Sequence, residues 1–363
     1  MSHRLLAPVL VALVSLGPAG CRHYGPRSIV ADRLPYNEAI ALSWKEQTLL
    51  NIVKLRYMDT PFFVDVPQIT SGYTIQGIAT ANGGISPPAN PLATFSQQLG
   101  LTLNAQGAYQ DRPTISYTPQ TGSQFIRNLT SPINPGSVLF LLQSGYPADL
   151  VFDLTVDSIN GVRNRTVAGG ELRPADPAFG RVVQALRKAQ VSGHVGIRVE
   201  PGDDKKGAVT FFFQDKGIEP ELARELAEVR RMLRLDPERR DFRVAFGAAS
   251  ANPTEIAIQS RSVFRILSEL STFVDVPCDH LAAGIAPAFG DPGDDGRPSP
   301  FHVCSGPKRP GDPFVAVCYE GRWFWIEKAD AHSKRTMAYL LVLLALADTG
   351  AKENLPVITI QAN

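Results

Sequence analysis

The sequence lacks a surplus of either charge. Its 36 Lys and Arg stand against 35 Asp and Glu, a net +1 over 363 residues. Binding a polyanion needs a basic excess, so this balance excludes a nucleic-acid partner of the usual electrostatic kind. Charge of both signs is sparse, at 20% of residues where soluble domains average about 25%. No GxSxG, HExxH, P-loop or GxGxxG occurs, so the common hydrolase, zincin and nucleotide signatures are missing. No cofactor is expected. No repeat of 20–50 residues is visible. Apolar runs are short: Leu5–Leu16 and Met337–Ala347 are the longest. Neither reaches the roughly 20 residues of a transmembrane helix. Cysteine is scarce, with four in the chain.

Apolar residues are present in quantity, at 44%, enough for a core. Gly (30) and Pro (29) are abundant, so the core is joined by many loops. At roughly 150 residues per domain the length suits two.

The N-terminus reads as an address. His3 and Arg4 precede the apolar run 5–16, then Gly17, Pro18, Ala19, Gly20 and Cys21. A short basic segment, an apolar stretch and small residues make a secretory signal. Ala19-Gly20-Cys21 resembles a bacterial lipobox, although Pro18 stands where that motif usually has an aliphatic residue. The resemblance implies cleavage after residue 20 and a diacylglycerol, with a further acyl chain such as palmitate, on Cys21. It implies a bilayer partner through these chains, since each buried CH₂ contributes about 0.8 kcal/mol. Arg22, being non-Asp, implies sorting to the outer membrane, with the body facing the periplasm.

Residues 21–35 read as an extended tether. A helix is expected from Asn37 to about Tyr57, with Leu42, Leu49, Ile52 and Val53 inward. Residues 62–77 read as strand and 78–94 as loop. From Phe95 to Gln106 apolar and polar residues alternate, the mark of a strand with one wet face. Two short helices are expected in 123–145 and a buried strand at 149–156. Helices are expected at 176–190, from Pro220, at 262–273 and at 331–347. Hairpins are expected at 194–213 and 314–326, and a last strand at 357–360. Helices and strands alternate without a βαβ beat. The expected class is α+β, with mixed, mostly antiparallel sheets and interspersed helices. Two units follow the signal, 36–170 and 171–363.

Candidate sites are few. If Cys21 is acylated, Cys278, Cys304 and Cys318 allow one disulfide among three pairings, with buried free thiols the alternative. Cys278-Asp279-His280 and His302-Val303-Cys304 together offer two sulfurs and two imidazoles, a zinc set, but the spacing is shorter than that of recognised zinc sites, so no metal is assigned. Trp323 and Trp325 alternate on a strand, either as a shelf for sugar or lipid or as cover for the 331–347 helix. Ser333 and Lys334 are neighbours on a helix and point apart, unlike a Ser/Lys pair. Arg181, Arg187 and Lys188 make a basic stripe suited to a solvated face. The strands at 73–118 fit either a half-buried soluble sheet or one protomer's hairpin in an oligomeric pore.

Four blocks, 36–66, 111–119, 144–161 and 314–348, are similar to uncharacterised lipoproteins and hypothetical envelope proteins of Gram-negative bacteria. That resemblance implies an envelope address and carries no activity. The leading expectation is a structural or assembly component of the envelope that works through a protein partner. The alternatives are an envelope enzyme or sugar-binding protein around Trp323, Trp325 and His302, and a protomer of an outer-membrane pore.

Overall fold

The computed structural model describes residues 26–70, 73–85, 99–111, 113–168, 171–200, 208–289, 299–347 and 358–361. Cys21 and the signal segment lie outside them. The chain is α+β, with helices set among mixed and mostly antiparallel sheets.

Helix α1 spans Pro26–Arg56. It replaces the extended tether expected up to residue 35 and passes through Pro35. A proline inside a helix removes one backbone bond and crowds the preceding turn. The turns after it supply a nucleus, from which propagation adds one bond per residue. Leu49, Ile52 and Val53 are fully buried, whereas Leu42 is exposed, against the expected face. Buried Asn51 closes the connection after the helix. Its amide nitrogen donates to the Phe62 carbonyl and its oxygen accepts from the Phe62 N–H, both at 2.9 Å.

Strands β1 (Phe63–Thr70), β2 (Tyr73–Ile85), β3 (Leu99–Asp111) and β4 (Thr114–Gln120) follow. β1 pairs with β4 and β2 with β3, both antiparallel. After a bulge between Asp65 and Gln68, the pairs Gln68↔Ser116 to Thr70↔Thr114 and the pairs Tyr73↔Asp111 to Ile85↔Leu99 keep the same register. The loop expected from residue 78 is therefore strand as far as Ile85. Gly, Ala and Asn there suggested a turn by composition, yet the pairing partner holds them extended.

Helices α2 (Gly122–Thr130) and α3 (Pro135–Gln143) are the expected short pair, the second capped by the Asn134 side chain. Helix α4 (Ala148–Thr155) replaces the buried strand expected at 149–156. Six of its eight residues are buried, so no amphipathic period marks it. Small strands β5 (Val156–Ile159), β6 (Val162–Arg163), β7 (Thr166–Ala168) and β8 (Glu171–Arg173) come next. Helix α5 (Pro177–Val191) precedes the hairpin β9 (Val195–Glu200) and β10 (Ala208–Phe213). Helix α6 (Pro220–Met232) buries Leu222, Leu226 and Val229 as expected.

β11 (Asp241–Phe246) and β12 (Glu255–Ser260) pair in parallel. They complete a six-stranded sheet in the order β6-β5-β12-β11-β10-β9. α3 and α5 lie against this sheet and α4 against α5, enclosing Leu139, Phe152, Phe211, Phe213, Phe242 and Ile258. The boundary expected near residue 170 runs through this sheet, because β5 and β6 precede it and β12 follows it.

Helix α7 (Val263–Ser271) is capped by Ser262, whose side chain accepts from the Arg265 N–H, and helix α8 is Cys278–Ala282. β13 (Cys304–Gly306), β14 (Val315–Tyr319) and β15 (Arg322–Ile326) form a sheet in the order β13-β15-β14. Helix α9 is Ala331–Ala347, and β16 (Ile358–Gln361) pairs with β4. Among the described residues no helix is long and apolar enough to cross a membrane. Two compact units result. One joins 1–62 with 122–350, and the other joins 63–121 with 351–363.

Candidate functional site

Within the larger unit, chemistry-bearing side chains gather on the outer face of the β13–β15 sheet. Val274 and Val303 form a parallel bridge, and both are buried. Strand alternation therefore turns their neighbours outward. Asp275, after Val274, and His302 and Cys304, on either side of Val303, come to one place. His302 Nε2 lies 3.0 Å from Asp275 Oδ2, and His302 Nδ1 lies 3.9 Å from Cys304 Sγ. The three potential ligand atoms are within 4.8 Å of one another. Behind them Ser333 fixes the backbone. Its hydroxyl accepts from the His302 N–H at 2.8 Å and donates to Asp330 Oδ2 at 2.5 Å.

The electrostatics favour a cation over a nucleophile. Burial pushes the Cys304 thiol up, and the negative charges of Asp275, Glu327 and Asp330 push it further. A reactive thiolate needs the opposite surroundings. Partial burial opposes ionisation of Asp330. Hydrogen bonds from the Ser333 hydroxyl and from the Ser333 and His332 N–H groups outweigh it and hold that carboxyl below its ordinary value. Sulfur, imidazole and carboxylate together suit a borderline divalent ion such as zinc, with one position left for water.

The zinc set considered from sequence is not assembled. Cys278, Asp279 and His280 lie on α8 and not on an extended segment. His280 is buried, with Nδ1 2.8 Å from the Tyr57 hydroxyl, while Asp279 pairs with Arg322. Cys278, Cys304 and Cys318 are all free thiols, and Cys278 and Cys318 are exposed. The sheet order explains the missing disulfide. Cys304 stands opposite Trp325 and Cys318 opposite Trp323, so β15 separates them.

Trp323 and Trp325 do share the face opposite buried Phe324 and Ile326. They are half-buried and lie on the central strand of the sheet that carries Cys304, with Trp325 directly opposite Cys304. Trp325 donates to Glu327 Oε1 at 2.7 Å, and a side chain at Gly306 would meet its ring at 3.1 Å. Arg309 lies over Trp323 at 5.3 Å. The basic stripe is spent on ion pairs: Arg181 with Glu228, Lys188 with Glu225, Arg187 with Asp149. Lys334 turns away from Ser333 to the Lys328 carbonyl. A cavity of about 270 Å³ beside α5 offers the Gln190 amide, but that amide already bonds Leu142, Tyr146 and Ala148.

The smaller unit carries a different feature, the β2–β3 ladder. Thirteen pairs run without a break from Tyr73↔Asp111 to Ile85↔Leu99. Among the described residues β2 and β3 pair only with each other. One face of the ladder holds positions 73, 75, 77, 79, 81, 83 and 85 opposite 111, 109, 107, 105, 103, 101 and 99. Those residues are Tyr, Ile, Gly, Ala, Ala, Gly and Ile against Asp, Tyr, Gly, Ala, Leu, Leu and Leu. The other face holds Thr74, Gln76, Thr80 and Asn82 with Gln110, Gln106, Asn104 and Thr102, broken by Ile78, Ala108 and the Gly84↔Gly100 pair. The sequence holds a signal for this that composition averages conceal. From Val66 to Gln110, 45 residues pass without Asp, Glu, Lys, Arg or His. At the chain's 20% charged residues, nine would be expected there.

No protein-family model, no curated protein and no solved structure matches the chain.

Proposed function

We propose that this chain is a lipid-anchored component of the bacterial outer membrane that acts by assembly. In this reading Cys21 carries the acyl chains, the body faces the periplasm, and protein–protein contacts do the work. The observation that supports it is the β2–β3 ladder. A two-stranded ribbon is marginal in water, and among the described residues no further strand pairs with its outer edges. Such edges call for more strands from another chain. The test is intact mass of the membrane-extracted protein beside Cys21→Ser, followed by native mass in mild detergent. An acylated chain beginning at Cys21 and found in a complex supports the reading. An unmodified monomer overturns it.

The Asp275–His302–Cys304 cluster favours a second reading, an envelope enzyme or sugar-binding protein whose site is this cluster with Trp323 and Trp325. Zinc titration followed by calorimetry tests it. Binding lost in His302→Ala would support it, and no heat from the wild-type protein would sink it.

A further inference from the structure

We propose that the β2–β3 ladders of several copies of this chain close into one β-barrel that crosses the outer membrane. The inference rests on the assembly reading and names the partner as further copies of the chain and the surroundings as lipid.

Four observations carry it. The first is charge. A charge at mid-bilayer on the lipid face of a barrel is expensive, and the 45 residues from Val66 to Gln110 hold none. The second is register. The unbroken pairing places apolar and small residues on one face of the ladder, with Asp111 opposite Tyr73 at its end, and Thr, Gln and Asn on the other, interrupted by Ile78, Ala108 and the Gly84↔Gly100 pair. A soluble sheet with one wet face would carry Lys, Glu or Asp on it, whereas a water-filled lumen is served by uncharged polar groups. The third is length. Thirteen residues at about 3.4 Å reach some 44 Å, and a tilt of about 40° leaves roughly 34 Å, more than the ~25 Å apolar band of such barrels. The fourth is the place of the aromatics. Tyr73 and Tyr109 fall on the apolar face at the end of the ladder next to β1 and β4, where a girdle at the membrane surface belongs.

Closure follows from the backbone. In lipid every N–H and C=O must be paired, so an open two-stranded ribbon cannot span alone. The outer edge of β2 in one copy can meet the outer edge of β3 in the next. Repeated around an axis, this head-to-tail contact makes a ring with an even number of strands, two from each copy.

The experiment uses the full-length lipidated protein in planar bilayers of phosphatidylethanolamine and phosphatidylglycerol, with native mass recorded on the same preparation. Stepwise conductance from a closed oligomer is expected. Leu103→Lys, on the apolar face, should reduce conductance to the protein-free baseline. Asn104→Lys, the next residue on the other face, should keep conductance and shift the reversal potential in a salt gradient toward anions. An oligomer that never conducts overturns the barrel and leaves assembly standing. A monomer overturns both. Equal loss of conductance in the two variants, each with wild-type circular dichroism, overturns the assignment of the faces and the barrel with it.

Discussion

Arg261 is the largest fully buried side chain described, and its surroundings show what holds the joint between β12 and α7. Its Nε donates to Asp157 Oδ1 at 2.8 Å and its Nη1 to the Asp153 carbonyl at 3.1 Å, while Nη2 donates to the Arg165 carbonyl. Arg265 takes the other Asp157 oxygen at 3.2 Å. A guanidinium fork fills these acceptors from one plane, which an ammonium cannot do. Arg261→Leu should cost about 3–5 kcal/mol in urea unfolding, because carbonyls and a carboxylate lose their donor. Arg181→Ala, which breaks an exposed pair with Glu228, should cost less than about 1 kcal/mol. Tyr57 and Tyr319 make a second residue-scale case. Burial raises both to about 12, and for Tyr319 the hydrogen bond to Asp59 adds to it. The unfolded chain ionises first, near the ordinary value of 10.0. Stability from these groups is therefore complete below pH 10 and is lost as pH rises toward 12. Absorbance titration of tyrosinate, run beside circular dichroism, should find at least three late phenols that ionise as the fold is lost: Tyr57, Tyr319 and Tyr339, which burial also raises. Tyr57→Phe should remove one of them.

At the scale of elements, legibility follows from how many faces an element shows to water. α5 and α6 each bury one stripe, Phe179, Val182, Val183 and Leu186 in the first and Leu222, Leu226 and Val229 in the second. Their 3.6-residue period is plain in the sequence. α4 is buried nearly all round, and the period vanishes. A short apolar run then reads as strand or helix alike. Its Phe152 is 2% exposed in the core over the six-stranded sheet. Phe152→Ala should cost about 3–5 kcal/mol, measured by denaturant midpoint at constant slope. β2 fails for the opposite reason. Its Gly, Ala and Asn have low strand propensity, and only β3 opposite makes them strand. The alternation of 95–106 was visible, and the absence of charge across 66–110 was equally available to a reader who scanned for it.

At the scale of the molecule, the placement of distant segments decides the chemistry. Cys304 and Cys318 flank a turn in sequence, which invites a disulfide. The order β13-β15-β14 puts a strand between them. Alkylation of the denatured, unreduced chain should therefore label Cys278, Cys304 and Cys318 together. In the native chain Cys304 should lag, since its thiolate forms only above the ordinary thiol range. The bridge between Val274 and Val303 brings Asp275 beside His302 and Cys304, and the strand pairings across residue 170 dissolve the boundary expected there. Local pattern alone determined the α+β class, most helices and the hairpins, because period and turn chemistry act over a few residues. Which strand lies beside which, and hence which side chains meet, was decided only by tertiary structure. Pairing between segments far apart is settled by burial of the whole sheet, and no window of the sequence contains both partners.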